Sequence, residues 1–140
     1  DGELLLNMRS NRGLHCRGVA TSNDGGLSWS RCRDERVLVE PVCQASMIRY
    51  SWPAAQRRSR VLFLNPASAS GRQELTLRIS YDEGRSWPVA RVLYAKSAAY
   101  SSLAVLQNRE VGVLFERDNY SRISFAAIGI KFVESATDNK

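Results

Sequence analysis

Arginine and one tyrosine are the residues of this 140-residue chain whose chemistry is most suggestive. Nearly all of the 20 basic side chains are arginine, and set against 14 acidic ones they leave a net charge of +6. A guanidinium is a rigid planar fork that captures a carboxylate or phosphate through two parallel N–H bonds. The excess therefore fits an acidic small ligand as well as a nucleic acid. The densest basic run, Arg57-Arg58-Ser59-Arg60, follows Trp52-Pro53-Ala54-Ala55, a loop composition, and reads as a solvated loop. The aromatic residues that a base-stacking platform interleaves among its charges are missing, so no nucleic-acid partner is expected. Tyr100 lies in Ala95-Lys96-Ser97-Ala98-Ala99-Tyr100-Ser101-Ser102-Leu103, preceded by small residues and followed by an apolar strand. Its ring is expected to be exposed at a strand end rather than to fill a core layer. Taken alone, a structural role competes with that of a reactive phenol.

Metal chemistry is not expected. His15 is the only histidine, and Cys16, Cys32 and Cys43 form no C-x-x-C pair. The three thiols read as buried and free, with a single bridge as the alternative. No cofactor is implied.

The elements that must position these residues are strands. Helical periodicity is nearly absent, while short β-rich runs recur between turn signals: Glu3–Leu6, Arg17–Ser22, Ser46–Tyr50, Arg60–Asn65, Leu75–Ser80, Val89–Tyr94, Ser101–Leu106, Val111–Phe115 and Ile123–Ile128. Two of them lead into copies of one turn, Ser22-Asn23-Asp24-Gly25-Gly26-Leu27-Ser28-Trp29 and, 58 residues on, Ser80-Tyr81-Asp82-Glu83-Gly84-Arg85-Ser86-Trp87. Both read S-x-D-x-G-x-S-W. The Asp carboxylate accepts backbone N–H bonds across the turn, Gly26 and Gly84 supply a positive φ, and Trp29 and Trp87 are expected to pack back on the strands they join. A repeated turn between evenly spaced antiparallel strands implies a repeated unit and points to an all-β fold, a partial β-propeller of about two to three blades. So open a fragment would expose sheet edges and one side of its core, and is not expected to be stable alone. Residues 1–134 read as the propeller portion and 135–140 as a polar tail. No apolar run is long enough to span a membrane.

These turns, known as Asp boxes or BNR repeats, combine with Ala99-Tyr100-Ser101, with Leu114-Phe115-Glu116 and with an isolated Arg72 after Asn65-Pro66. Together they resemble the exo-α-sialidase (neuraminidase) family over nearly the whole chain, from Asn7-Met8-Arg9-Ser10 to Phe125. The match corresponds to the C-terminal part of that family's six-bladed propeller. The resemblance implies three arginines that grip a substrate carboxylate and a tyrosine nucleophile. Tyr100 looks like the nucleophile. Arg17, five residues before Ser22, looks like the second arginine, with Arg9 and Arg12 as near neighbours in sequence; Arg72, 28 residues before Tyr100, looks like the third. Arg78 competes with Arg72, but its place within a strand suggests that it faces solvent. Glu116 resembles the carboxylate that holds the first arginine, and Gln44 and Ser46 either line the pocket or cap backbone.

A sialic acid bears a carboxylate on its anomeric carbon, which repels a carboxylate nucleophile and suits a neutral phenol, as glycosidases of this kind use. A phenol ionises near pH 10 and needs a neighbouring base, which the family supplies as a glutamate. That glutamate would lie ahead of Asp1, Glu3 being part of a strand, and neither the first arginine nor the Asp acid/base is matched here. The resemblance thus implies a fragment of a retaining hydrolase of sialylated glycans, inactive alone, with secretion or a periplasmic setting suggested by analogy. A non-catalytic Asp-box propeller that binds glycans or proteins is the competing reading.

Overall fold

The computed structural model describes residues 2–137. The Asp1 side of the expected N-terminal turn and the end of the polar tail, 138–140, lie outside the described residues. Nine strands run in order: β1 (Leu4–Met8), β2 (Cys16–Ser22), β3 (Arg33–Val39), β4 (Ser46–Ser51), β5 (Arg60–Pro66), β6 (Gln73–Ser80), β7 (Val89–Val105), β8 (Val111–Arg117) and β9 (Arg122–Ile128). A short helix α1 (Ile130–Glu134) and a 3-10 turn over Ser135–Thr137 follow, so the first part of the expected tail is ordered against the body. Strands β1 to β3 form one antiparallel sheet, and β4 to β9 form a second, continuous six-stranded sheet in chain order.

The expected separate blades are therefore not confirmed; the second sheet is one curled surface. The reason is β7. The sequence pattern divides it into two strands, Val89–Tyr94 and Ser101–Leu106, yet it is one 17-residue strand. Its first part pairs with β6 (Ile79 opposite Val89) and its second with β8 (Val105 opposite Val111), with no break between them. The intervening Ala95-Lys96-Ser97-Ala98-Ala99 reads as a linker because it lacks β-branched residues, but neighbours on both sides supply the pairing that propensity does not. Strand β3, Arg33-Asp34-Glu35-Arg36-Val37-Leu38-Val39, carries no strand signal in the sequence because charges dominate it. It is an edge strand, where charged side chains are the usual protection against unwanted pairing.

The main core lies inside the curl and is built from Leu62 and Leu64 of β5, Leu75, Leu77 and Ile79 of β6, Val111, Val113 and Phe115 of β8, and Val133 of α1. Glu134 anchors α1 through Arg60 Nε at 2.8 Å and the Tyr81 hydroxyl at 3.0 Å. A smaller cluster of Leu38, Val61, Phe63 and Trp87 sits at the seam where the three-stranded sheet meets the larger one.

The two Asp boxes repeat their geometry almost atom for atom. Asp24 Oδ1 accepts the Ser28 N–H at 2.9 Å and Asp82 Oδ1 accepts the Ser86 N–H at 2.8 Å. The Ser22 and Ser80 hydroxyls accept the N–H groups of Gly26 and Gly84 at 2.9 and 2.8 Å. Those glycines have φ of 92° and 84°, as the motif requires. The tryptophans part company. Trp87 is buried and meets Phe63 at 5.6 Å between ring centroids, whereas Trp29 is 42% exposed and bonds only to its own turn, through Gly26 O at 3.1 Å. The expectation that both tryptophans bury themselves on their strands holds for Trp87 and not for the half-exposed Trp29.

Hydrogen bonds from Ser28 and Ser22 hold the Asp24 carboxyl down at about 2. A carboxylate whose folded pKa lies below its unfolded value near 3.9 contributes stability that is present above that value and lost as pH falls toward 2. Replacing Asp24 by Asn in the full-length protein is expected to flatten the acid limb of the melting temperature between about pH 4 and 2. Curves for the two proteins that stay parallel through that window contradict the assignment.

Candidate active site

Tyr100 sits at the point where β7 changes partners. Register slips between Ala98 and Ser101: β7 advances three residues while β8 moves from Arg117 to Phe115. Such a bulge re-aims a side chain and is a recurrent device beside active sites. Tyr100 is therefore displayed from the middle of a strand rather than from its end, and it is 44% exposed, while Ala98 and Ala99 before it are buried. The small residues let the strand lie close to its neighbours and the bulge turns the ring outward.

The bulge, and the end of β6 pairing at Ser97, leave backbone groups of β7 without sheet partners, and three side chains supply them. Glu116 Oε2 accepts the Tyr100 N–H at 3.0 Å. Gln44 accepts the Ser101 N–H through Oε1 at 2.9 Å and donates from Nε2 to the Ser101 carbonyl at 2.9 Å. Ser46 Oγ accepts the Leu103 N–H at 3.0 Å. Gln44 and Ser46 thus both cap backbone, and Gln44 also borders the cavity beside Tyr100. That cavity, of about 320 Å³, is lined by Gln44, Tyr100, Ser102, Leu114, Glu116 and Ile123.

Arg72 lies against the same tyrosine, its guanidinium 5.5 Å from the ring centroid. Its carbonyl accepts the Ala98 N–H at 2.9 Å, which ties it to the start of the bulge. Its Nη1 donates to the Tyr120 hydroxyl at 3.0 Å. Partial burial alone would lower the Arg72 guanidinium, but the Tyr120 hydrogen bond and nearby groups outweigh it and its pKa is raised. It stays a cation with most of its donors unused. Tyr120 is a residue that sequence reasoning missed. It stands on a turn in which Asp118, Asn119 and Tyr120 all have positive φ, between 53° and 66°, and only the Asp118-Asn119 turn signal hinted at it.

Arg17 is placed differently. It is 4% exposed, and four of its five N–H donors are taken: Nε by Asn7 Oδ1 at 2.6 Å, Nη2 by the Asn7 carbonyl at 3.2 Å, and Nη1 by Glu40 Oε2 at 3.2 Å and the Cys43 carbonyl at 2.9 Å. Burial pulls its pKa down and Glu40 opposes that pull. Arg12 is paired with Asp34. Arg9 is exposed and, among the described residues, has no hydrogen bond or ion pair of its own. Burial pushes the Cys43 thiol up, against the charges of Arg72 and Arg9, both of which reach it. Arg78, expected to face solvent, is 9% exposed and points inward, its Nη1 3.4 Å from Asn65 Oδ1. The curl of the sheet encloses that face of β6, and burial lowers its pKa. Of the thiols, Cys16 and Cys43 are buried and free, while Cys32 is free and exposed.

An all-β chain with two Asp boxes and an arginine-flanked tyrosine displayed at a bulge is a BNR-type sheet protein. A family described as BNR repeat-like domain matches residues 1–113. Curated sialidases are similar to the chain: that of Micromonospora viridifaciens is 38% identical over 92% of this chain and 21% of its own length, and that of Bacteroides fragilis 33% identical over 93% and 24%. Among solved structures, a Hadza microbial sialidase superposes with a TM-score of 0.80 at 35% identity, covering 94% of this chain and 26% of that one. A leech intramolecular trans-sialidase, complexed with 2,7-anhydro-Neu5Ac, gives 0.80 at 26% identity over 95% and 22%. The chain belongs to the BNR repeat-like domain family, and the relatives it resembles are sialidases. It spans about a quarter of the length of these relatives.

Replacing Gln44 by Ala removes both bonds to Ser101 and leaves two buried backbone groups unpaired, which is expected to cost about 2–4 kcal/mol of stability. Chemical denaturation of the full-length protein measures it, and a loss no larger than that of an exposed substitution such as Asn108→Ala contradicts the capping role.

Proposed function

We propose that the protein carrying this chain is a retaining exo-α-sialidase, which hydrolyses terminal α-ketosidically linked sialic acids from glycoconjugates within a six-bladed propeller, with Tyr100 as nucleophile. The observation that carries this reading is the Tyr100 phenol displayed at the bulge, with the Arg72 guanidinium over its ring and the Glu116 carboxylate on its own N–H. A phenol meeting the anomeric carbon of a carboxylate-bearing sugar avoids like-charge repulsion, and a guanidinium next to it with most of its donors unused is suited to hold that carboxylate.

The second carboxylate-binding arginine is Arg9 rather than Arg17. Four of the five N–H donors of Arg17 are taken by Asn7, Glu40 and Cys43, and the side chain is buried away from a ligand. Arg9 is unencumbered, and its charge acts on Cys43 together with that of Arg72. Two guanidiniums converging on one carboxylate fix the sugar's orientation as well as its charge. Glu116 lines the cavity, where it would hold the first arginine of the triad, supplied by the complete protein.

In the first step the Tyr100 oxygen, its proton taken by a base of the complete protein, bonds to the anomeric carbon while the glycosidic C–O bond breaks and the aglycone leaves with a proton. In the second, water bonds to the same carbon, the tyrosyl C–O bond breaks and the phenolate recovers a proton. Two displacements retain configuration. Transfer within the sugar, as the trans-sialidase name of one structural relative implies for that protein, would use the same first step; the higher identities to plain sialidases favour hydrolysis.

In the full-length protein, Tyr100→Phe is expected to cut release of a fluorogenic reporter from an α-sialoside by about a thousandfold or more in kcat while sialoside binding persists. Turnover that survives loss of the phenol overturns the nucleophile assignment; a wild-type protein that binds sialosides without turning them over favours a glycan-binding propeller instead.

A further inference from the structure

Among the described residues, Arg17 and Glu40 form the most deeply buried ion pair, with side chains 5% and 1% exposed. Taking two charges out of water costs several kcal/mol for each ion, and well-packed apolar residues often do as well or better in such places. Stability alone is therefore a weak reason for the pair. What the pair touches suggests another.

Every remaining bond of the pair goes to backbone or to a residue next to the site. On one side, Glu40 Oε1 accepts the Ser10 N–H at 2.8 Å, and Arg17 holds Asn7 by its side-chain oxygen at 2.6 Å and its carbonyl at 3.2 Å. Residues 7 and 10 are thus fixed, with the free Arg9 between them. On the other side, Cys43 is gripped at both backbone groups: its N–H donates to Glu40 Oε2 at 3.0 Å and its carbonyl accepts from Arg17 Nη1 at 2.9 Å. The next residue, Gln44, grips the N–H and carbonyl of Ser101, beside Tyr100. An unbroken run of hydrogen bonds therefore connects the segment bearing Arg9 to the bulge bearing Tyr100, with the ion pair at its centre.

The two segments belong to different sheets. Arg9 follows β1 of the three-stranded sheet and Tyr100 lies in β7 of the six-stranded one. Among the described residues no strand pairing spans that seam, which is bridged by a small apolar cluster and by the Asn65 Nδ2 bond to the Val39 carbonyl at 2.8 Å. Apolar contact is non-directional and tolerates sliding, whereas a buried ion pair whose two carboxylate oxygens also accept the Ser10 and Cys43 N–H groups does not.

We propose that Arg17 and Glu40 are positioning residues that set the distance between the Arg9 guanidinium and the Tyr100 phenol, so that one sugar can reach both. This deepens the sialidase reading and rests on it. Arg17 does not touch substrate; it acts through Asn7, Ser10 and Cys43. When the lock is weakened, Arg9 no longer meets the substrate carboxylate while Tyr100 is still poised to react, so affinity suffers before chemistry does.

The experiment uses the full-length protein and steady-state kinetics on a fluorogenic α-sialoside, with active sites counted by pre-steady-state burst. Glu40→Gln keeps the shape but removes the charge, and Asn7→Ala removes one Arg17 partner while leaving the ion pair in place, so it serves if the first variant does not fold. Glu40→Gln is expected to raise KM about tenfold and Asn7→Ala about threefold, with kcat per active site changing less than either. In the Arg9→Ala background, Glu40→Gln is expected to add no further rise in KM, because the residue it positions is gone. A merely structural pair would lower the number of active sites at unchanged KM. Unchanged KM in the folded variants, or full additivity with Arg9→Ala, overturns the proposal while Tyr100-dependent turnover upholds the function. Absence of sialoside turnover by the wild type overturns both.

Discussion

The constraint on which the rest of this structure depends is that a strand changing neighbours must still satisfy its backbone. β7 pairs with β6 over its first part and β8 over its second, and at the change the ladder is interrupted by the bulge at Ala98–Ser101. Buried N–H and C=O groups without partners are costly, so nearly all are paired in native proteins. Here Glu116, Gln44 and Ser46 replace the missing strand. Those three side chains come from different parts of the chain, and satisfying the bulge therefore draws them around Tyr100. The same requirement that repairs the sheet assembles the site.

The positive charge that dominates the composition is largely held by the fold itself. Arg49 stacks 3.9 Å from the Trp52 ring centroid, Arg58 and Arg60 lie over Tyr81, Arg91 over Phe132, Arg109 over Tyr50 and Arg117 over Tyr94. A guanidinium is weakly hydrated on its faces and rests on a ring while its edge still donates hydrogen bonds, which a lysine ammonium does less well. This is a physical use for arginine over lysine across the whole chain. Arg72 keeps most of its donors unused, and Arg9, among the described residues, has no hydrogen bond or ion pair of its own. The charge count alone could not separate the two populations.

What was legible in the sequence was whatever is local. The Asp boxes were readable because every bond in them links residues at most four positions apart, and one serine, one aspartate and one glycine dictate the turn. Strands such as Leu75–Ser80 were readable as short β-rich runs between turn signals, although both faces of this one are buried. Tyr100 was readable as an exposed ring because small residues precede it, although the cause is a bulge and not a strand end. Glu116 and Arg72 were nominated by resemblance, and their contacts with Tyr100 emerge only when β6, β7 and β8 lie side by side. Charged β3 was invisible because an edge strand is selected for protection rather than for burial.

By itself, then, the sequence determined an all-β chain with two Asp-box turns, the exposure of one tyrosine and the group of arginines from which a carboxylate grip could be drawn. Tertiary structure alone decided that β7 is a single strand, that the blades merge into one curled sheet, that Arg78 points inward, and that Arg17 is buried against Glu40 while Arg9 stays free. The reason is one of range. A turn or an alternating strand is specified by neighbours within a few residues, whereas which of several arginines becomes a ligand depends on whether a distant carboxylate and carbonyl have already taken its donors. Composition and spacing carry no record of that competition, because it takes place between segments that meet only when the two sheets are packed.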